Sequence, residues 1–541
     1  MLSSLLQATG LTAPLTEDAV RRIVPELARA SEREVYPRSV VASNGVIYFL
    51  GRRMLDKRLC LLWDESDLVA RASRPSGAGE TPVPPTDFCG ERRHVQIGGL
   101  RLVIQAGYLD HQNAAALRRH LSFTAPQTLG VHPAFGAGDR LGLATPAHVR
   151  AVRGTGLRPV FAQQSIREMT RTGRTPDEVM DTATFGVFQE GWRDPFGADA
   201  DHLKTAQDID ATVAAGFTMF TIDPGDHVHN DAETASADTL REKFGALPWS
   251  ELETGADSLT RAYADPVRLP SDAVVTFDEG VLLRAAVKYG RALAHTAAMY
   301  RHLSGRMGGR PFELEMSVDE TATPTSVAEH VFVVRELQRL GVKWVSLAPR
   351  FVGEFEKGVD YIGDLAAFES SFAQHVAVAQ HFGPYKISIH SGSDKFSIYP
   401  IAARLSGDLV HLKTAGTSYL EALRAVARIA PPLFREILAF AIERYPVDRA
   451  SYHVSADLAK VPAPDSLSED QLVSIVDQFD TREALHVTFG SVLTAEAGGK
   501  PRFRDRLMKA LQEHEEIHYE TVRAHIERHV RPFRRREGYG G

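Results

Sequence analysis

The chain has few of the features that mark a disulfide scaffold, a membrane anchor or a nucleic-acid surface. Its 541 residues include two cysteines, Cys60 and Cys89. Two thiols cannot build a disulfide framework or a thiolate zinc site, and they point to a reducing compartment. No stretch approaches the roughly 20 consecutive apolar residues of a membrane-spanning helix. The start, Met1 to Leu6, lacks the basic residues and long apolar run of a secretion signal. A cytoplasmic location with no membrane partner is therefore expected. Positive charge is not in excess either: a net charge of -7 argues against a nucleic-acid partner, which calls for a basic face. A dinucleotide fingerprint is also missing. The third glycine of that motif would fall at position 141, where Leu141 stands, so no nicotinamide site is expected between Gly136 and Gly142.

What is present is an ordinary core-forming composition, 43% hydrophobic and 24% charged. The first 125 residues read as an N-terminal extension with its own strands, Val40 to Leu50 and Leu100 to Ala106, around a Pro-, Gly- and Ser-rich loop from Ala72 to Arg93. From there to about residue 470, short apolar runs alternate with longer helical patterns, the signature of βα units and a parallel sheet. Strands are expected near Gln127 to His132, Arg158 to Ala162, Phe217 to Ile222, Pro311 to Met316, Lys343 to Leu347, Tyr385 to His390, Asp408 to Leu412 and Ser451 to Val454. Eight such units close into a (β/α)8 TIM-type barrel. An acidic insertion at about 230–278 would follow the third strand. Residues 471–541 form a C-terminal helical extension, whose charged pattern from Arg502 to Arg536 suits packing on the barrel or on a second copy in a homo-oligomer.

A barrel gathers its chemistry at the C-terminal ends of its strands, and the polar residues of this chain cluster there. His227, His390 and His411 follow separate strands, and imidazoles with a carboxylate make an open divalent-metal site. Glu313 and Glu315 share strand parity, so both face the interior if one does; either is a candidate acid, base or ligand, and a buried ion pair is the competing reading. Asp226 directly precedes His227 as a candidate base, unless it merely caps the turn that follows. Arg140, Gln164, Asp394, Lys395 and Lys413 are candidate substrate contacts, with Arg140 suited to clamp a carboxylate. Ser418 and Glu421 have capping-box spacing at a helix start where barrels often bind anions.

Taken together, these blocks resemble the tagaturonate epimerase family, which interconverts tagaturonate and fructuronate and includes relatives developed as ketohexose 4-epimerases. The resemblance rests on Phe135 to Pro146, Phe161 to Glu168, Thr221 to Val228, Glu313 to Thr321, Lys386 to Ser397 and Leu409 to Tyr419, in that order. It implies a divalent metal cofactor held by His227, His390 and His411, with Asp226 as proton acceptor and Glu315 or Glu313 as proton donor. The implied substrate is a small sugar acid; a neutral ketose, or the substrate of a barrel-type metallohydrolase, is the alternative.

The chemistry constrains the mechanism. The two ketohexuronates differ at a hydroxyl-bearing carbon β to the ketone, whose hydrogen the carbonyl does not acidify. Retro-aldol cleavage avoids that obstacle: a base takes the hydroxyl proton, the bond between the α and β carbons breaks, and the aldehyde fragment turns before the bond re-forms.

Overall fold

A computed structural model of the chain describes residues 1–8, 10–64, 86–270 and 273–535. Most of the loop expected at 72–93, positions 271 and 272 of the insertion, and Arg536 lie outside the described residues.

Eight parallel strands close the central barrel: β1 (Ala134–Ala137), β2 (Arg158–Ser165), β3 (Gly197–Leu203), β4 (Met219–Ile222), β5 (Glu313–Ser317), β6 (Ser346–Ala348), β7 (Lys386–Ile389) and β8 (Val410–Thr414). β8 pairs with β1 through His411 opposite Ala134 and Lys413 opposite Gly136, which closes the ring. The expected TIM-type barrel is therefore present, with three changes of detail. Residues 127–132 are not a strand; they cross the N-terminal end of the barrel, where the Gly130 amide donates to Glu313 and the Gly130 carbonyl accepts from Lys386 Nζ at 2.9 Å. Ser451–Val454 is not a strand either, since a 3-10 turn at Arg449–Ser451 leads into irregular chain at the barrel mouth. Two strands complete the count: β1, which lies just after the run expected at 127–132, and β3, whose inward face carries Asp199 and Asp201 and so shows no apolar run. The insertion accordingly follows the fourth strand rather than the third. It holds helices Ala237–Gly245 and Ala256–Ala262 and a small hairpin, Val267–Arg268 with Val274–Val275.

The N-terminal extension is an antiparallel sheet built on strands Val46–Arg53, Asp56–Trp63 and Leu100–Gly107, flanked by Glu91–Ile97. Strand Val41–Ser43 turns back into it through Asn44 and Gly45, with φ of 50° and 82°. Asn-Gly is the pair that a two-residue hairpin with left-handed central residues demands. One sheet face packs Ile47, Phe49 and Leu62 against Ile23 and Leu27 of helix Glu17–Ser31. The other face, with Tyr48, Leu50 and Leu61, is continuous with the barrel core.

The C-terminal segment folds into helices that include Arg504–Glu513 and Glu515–Val530. The latter packs on helix Thr145–Val152 after β1 and on helix Thr417–Ile429 after β8. No helix among the described residues is long and apolar enough to cross a membrane.

Candidate active site

TIM-type barrels usually fill their interior with branched apolar side chains; this one fills it with charge. Alternate residues of a strand share a face. That rule brings Asp199 and Asp201 of β3, Thr221 of β4, Glu313 and Glu315 of β5, Ser346 of β6, Lys386 of β7, and His411 and Lys413 of β8 into the interior, all of them buried. His390, one residue beyond β7, joins them at the C-terminal end.

Lys413 is the hub. Its Nζ lies 2.7 Å from Asp199 Oδ2, 2.9 Å from Asp201 Oδ1 and 2.7 Å from Glu315 Oε1, and it donates to Thr221 Oγ1 at 2.7 Å. Burial disfavours its charge, but these three carboxylates hold the ammonium well above the usual lysine range. Glu315 is the reciprocal case. Burial opposes its ionisation, yet Lys413 and His390 keep the carboxylate well below its ordinary value. Its other oxygen accepts a hydrogen bond from Ser346. Asp199 has the opposite balance: burial, only partly offset by Lys413, pushes its carboxyl up to about 6.

His390 stands between carboxylates. Its Nε2 is 2.6 Å from Glu315 Oε1 and its Nδ1 is 3.4 Å from Asp319 Oδ1. Burial works against the imidazolium, but Asp319 and Glu315 outweigh it and push His390 up to about 10. The ring meets that of His202 edge to face, 5.0 Å between centroids. His202 Nδ1 is 3.2 Å from Asp223 Oδ2, which orients the ring and leaves Nε2 facing Asp201 Oδ2 at 3.8 Å. Asp201, His202 and His390 offer ligand atoms all within 4.8 Å of one another, so they can hold a metal ion. A carboxylate fixing the far nitrogen of a ligating histidine, as Asp223 does for His202, is the usual support of such a site.

Two adjoining cavities open above this group. One of about 280 Å³ is lined by Asp319, Arg350, His390, Ser391 and Tyr452 among others. A narrower one of about 50 Å³ reaches Asp201, His202, Lys413 and Gly416. Arg167, Lys357, His390, Ser391 and Tyr452 line both. A larger cavity of about 760 Å³ lies between the N-terminal sheet and the C-terminal helices, but Asp201, His202 and His390 do not border it.

The structure brings some of the expected site residues together and leaves others apart. Glu315, His390, His411 and Lys413 meet: His411 Nδ1 lies 3.5 Å from Glu315 Oε2, and burial pushes its imidazole down to about 4. Glu313 lies one inward position closer to the N-terminal end, away from the mouth, with the Gly130 amide on its carboxylate. Asp226 and His227 sit on the 3-10 turn Gly225–His227 at the rim. There Asp226 Oδ1 is 2.9 Å from Lys204 Nζ, and His227 stacks on His295 at 4.1 Å between ring centroids. Gln164 faces outward to Arg174 Nη1, at 3.2 Å, whereas its neighbour Gln163 lines the narrower cavity. Asp394 and Lys395 turn away from the mouth. Asp394 pairs with His525 and, at 3.0 Å, with Arg482, while Lys395 Nζ donates to the carbonyls of Glu356 and Ser393 at 2.7 and 3.2 Å. Arg140 borders the narrower cavity but holds Glu168 at 2.7 Å. Helix Thr417–Ile429 starts at Gly416 without a side-chain cap, and the expected capping box is absent because Ser418 bonds His148 and Glu421 pairs with Arg424.

Sequence reasoning missed Asp199, Asp201 and His202. The alternation Asp199, Asp201 within Gly197–Leu203 was the signal available, a period of two between flanking small and apolar residues.

Comparison with known proteins agrees with this architecture. The sequence profile of the tagaturonate epimerase family matches residues 36–533. A tagaturonate/fructuronate epimerase of Thermotoga maritima is 47% identical over 421 residues, covering 78% of this chain and 85% of that protein. Crystal structures of a fructuronate-tagaturonate epimerase from Cohnella laeviribosi, native and with glycerol, superpose with a TM-score of 0.83 at 36% identity, covering 95% of this chain and 99% of theirs. With the profile spanning nearly the whole chain and a relative 47% identical over 78% of it, this protein belongs to the tagaturonate epimerase family.

Proposed function

We propose that this protein interconverts tagaturonate and fructuronate by retro-aldol cleavage and aldol re-closure at the C-terminal mouth of the barrel. The observation that carries the reading is the Asp201, His202 and His390 group set over the ionised Glu315–Lys413 pair, in a chain that belongs to this family. A divalent cation held by Asp201, His202 and His390 would supply electrostatic stabilisation of the substrate's carbonyl oxygen as enolate charge develops.

The chain's own groups supply the rest. Lys413 stays protonated in its cage of carboxylates, so it acts as a fixed positive charge beneath the developing enolate rather than as a proton donor. Glu315 stays ionised and accepts from His390 Nε2, which fixes the ring at the floor of the mouth. An ionised Glu315 is suited to positioning more than to donating a proton. Asp226, the family's implied acceptor of the hydroxyl proton, stands on a turn that buries none of its three residues.

The test is incubation with tagaturonate and a panel of divalent cations in heavy water. Fructuronate should form only in the presence of a suitable cation and carry no deuterium on the inverted carbon, because that carbon keeps its hydrogen throughout. Label on that carbon would overturn the retro-aldol route, and absence of fructuronate under every cation would overturn the assignment.

A further inference from the structure

Three features converge on the wall of the narrower cavity opposite His202. The first is the start of helix Thr417–Ile429. Ala415 and Gly416 line the cavity, and no side chain caps the helix. Its first-turn amides and the positive end of its dipole therefore face the site. The second is Arg140, which is 4% exposed. Its Nε and Nη2 are spent on Glu168, at 2.9 and 2.7 Å, while Nη1 is buried with no hydrogen-bond partner. The third is Lys357, half-buried at the junction of both cavities. Arg167 and Arg350 of the same mouth face Glu320 and Glu354, at 3.1 and 3.7 Å. Lys357 Nζ instead donates to Ser391 Oγ and, among the described residues, has no carboxylate within ion-pair range.

His486 joins these pieces. A Cβ at position 416 would lie 1.9 Å from its ring, and one at position 358 would lie 3.0 Å away, so glycine at both positions admits the imidazole between the two loops. Arg140 Nη2 is 3.3 Å from His486 Nε2. Burial, with Arg140 and Lys357 nearby, keeps this imidazole neutral. The wall thus presents a guanidinium edge, an ammonium and uncapped helix amides; of the nearby carboxylates, Glu168 is held by Arg140, and Asp394, which accepts from Thr417 Oγ1 at 3.2 Å, is paired with Arg482 and His525.

We propose that this wall is the carboxylate subsite, with the sugar acid's carboxylate bound by Lys357 Nζ, Arg140 Nη1 and the first-turn amides of helix Thr417–Ile429. The inference rests on the retro-aldol reading and extends it. When the bond between the α and β carbons breaks, its electron pair passes to the three-carbon ketone fragment as an enolate. The hydroxyl proton passes to the base, and the β carbon becomes an aldehyde. The carboxylate remains on that aldehyde fragment. Anchored there, the fragment stays in the site while its aldehyde turns to present the opposite face, and re-closure returns the proton and the bond. A neutral ketose yields an aldehyde fragment with no such anchor, so the same wall selects acids over neutral ketoses.

The test uses the full-length, metal-supplemented protein. Lys357→Met should raise KM for tagaturonate ~10- to 100-fold, the worth of one charge-assisted hydrogen bond. It should weaken competitive inhibition by tartronate, a dicarboxylate mimic of the aldehyde fragment, by a similar factor. The preference for tagaturonate over tagatose should fall with it, and Lys357→Arg should restore most of the loss. An unchanged KM and tartronate affinity, or equal losses on tagaturonate and tagatose, would overturn the subsite. If the unaltered protein fails to interconvert tagaturonate, the proposed function falls. Calorimetric binding of tartronate, with and without Lys357→Met, then decides the subsite by itself.

Discussion

His390 Nε2 lies 2.6 Å from Glu315 Oε1, a buried contact between the loop after β7 and the middle of β5. Glu315 is outside the group of residues that can hold a metal, whereas His390 is within it. Glu315→Gln should therefore lower kcat by ~10- to 100-fold, the usual loss when a partner that orients a ligating histidine is removed, while leaving most of the metal bound. His390→Ala should lose both metal and activity. Elemental analysis beside initial rates distinguishes the two, and a metal-replete, active His390→Ala protein would show that His390 is structural.

A second expectation concerns stability. Lys413 neutralises Asp199, Asp201 and Glu315 at distances of 2.7 to 2.9 Å. Removing one partner of a buried charge cluster costs about 3–5 kcal/mol, because the remaining charges stay buried without compensation. Lys413→Met should accordingly shift the denaturant midpoint well below that of the unaltered protein and lose activity. A double variant, Lys413→Met with Glu315→Gln, should recover part of the stability. A single variant as stable as the unaltered protein would mean that the cluster already shares protons.

How much of this was legible in the sequence depended on what each strand had to bury. β5, β7 and β8 alternate charged inward residues with apolar outward ones such as Leu314, Ile387 and Leu412, so their runs stand out and Glu315, His390 and His411 could be placed. β3 packs small alanines, Ala198 and Ala200, outward and aspartates inward, and its hydrophobic signal vanishes although it carries Asp201 and His202, two of the three residues that can hold a metal at the mouth. Asp394 and Lys395 misled for a different reason. After β7 the backbone turns left-handed at Ser391 and Asp394, with φ of 49° and 65°, which swings both side chains toward the C-terminal helices and the underside of the mouth loop. A turn of that kind is set by tertiary partners such as His525 and Arg482, which lie far along the chain.

The buried histidines outside the mouth set the acid limit of the fold. Burial pushes His148, His375, His518 and His529 down to about 4. Unfolded histidine titrates near 6.5, so between those values the unfolded chain binds more protons and stability falls as the pH drops. The slope reaches about 1.4 kcal/mol per pH unit for each histidine. His202 and His390, shifted upward to about 9 and 10, contribute stability that is fully present below about 6.5 and is lost only as the pH rises through those higher values. Below about 6.5 their contribution is constant, so they do not offset the acid loss there. Unfolding midpoints should therefore decline as the pH falls from about 6.5 to 5, below the window in which His202 and His390 still gain stability; a flat profile over that range would show that these imidazoles are not held neutral.

Asp226 offers the cleanest separation of folding from chemistry. Its side chain is 71% exposed and its partner Lys204 is 41% exposed. A surface pair of this kind contributes about 0–1 kcal/mol, and none of the three residues of its turn is buried. Asp226→Asn should therefore unfold at nearly the same midpoint as the unaltered protein. If Asp226 accepts the hydroxyl proton, the same substitution removes the base and lowers kcat by ~100-fold or more. KM should change little, because the amide preserves the size and polarity of the side chain. Measuring both quantities on one preparation settles the role. An active Asp226→Asn protein would move proton acceptance to the barrel interior, where Asp199, pushed up to about 6 and paired with Lys413, is the carboxyl poised to take it.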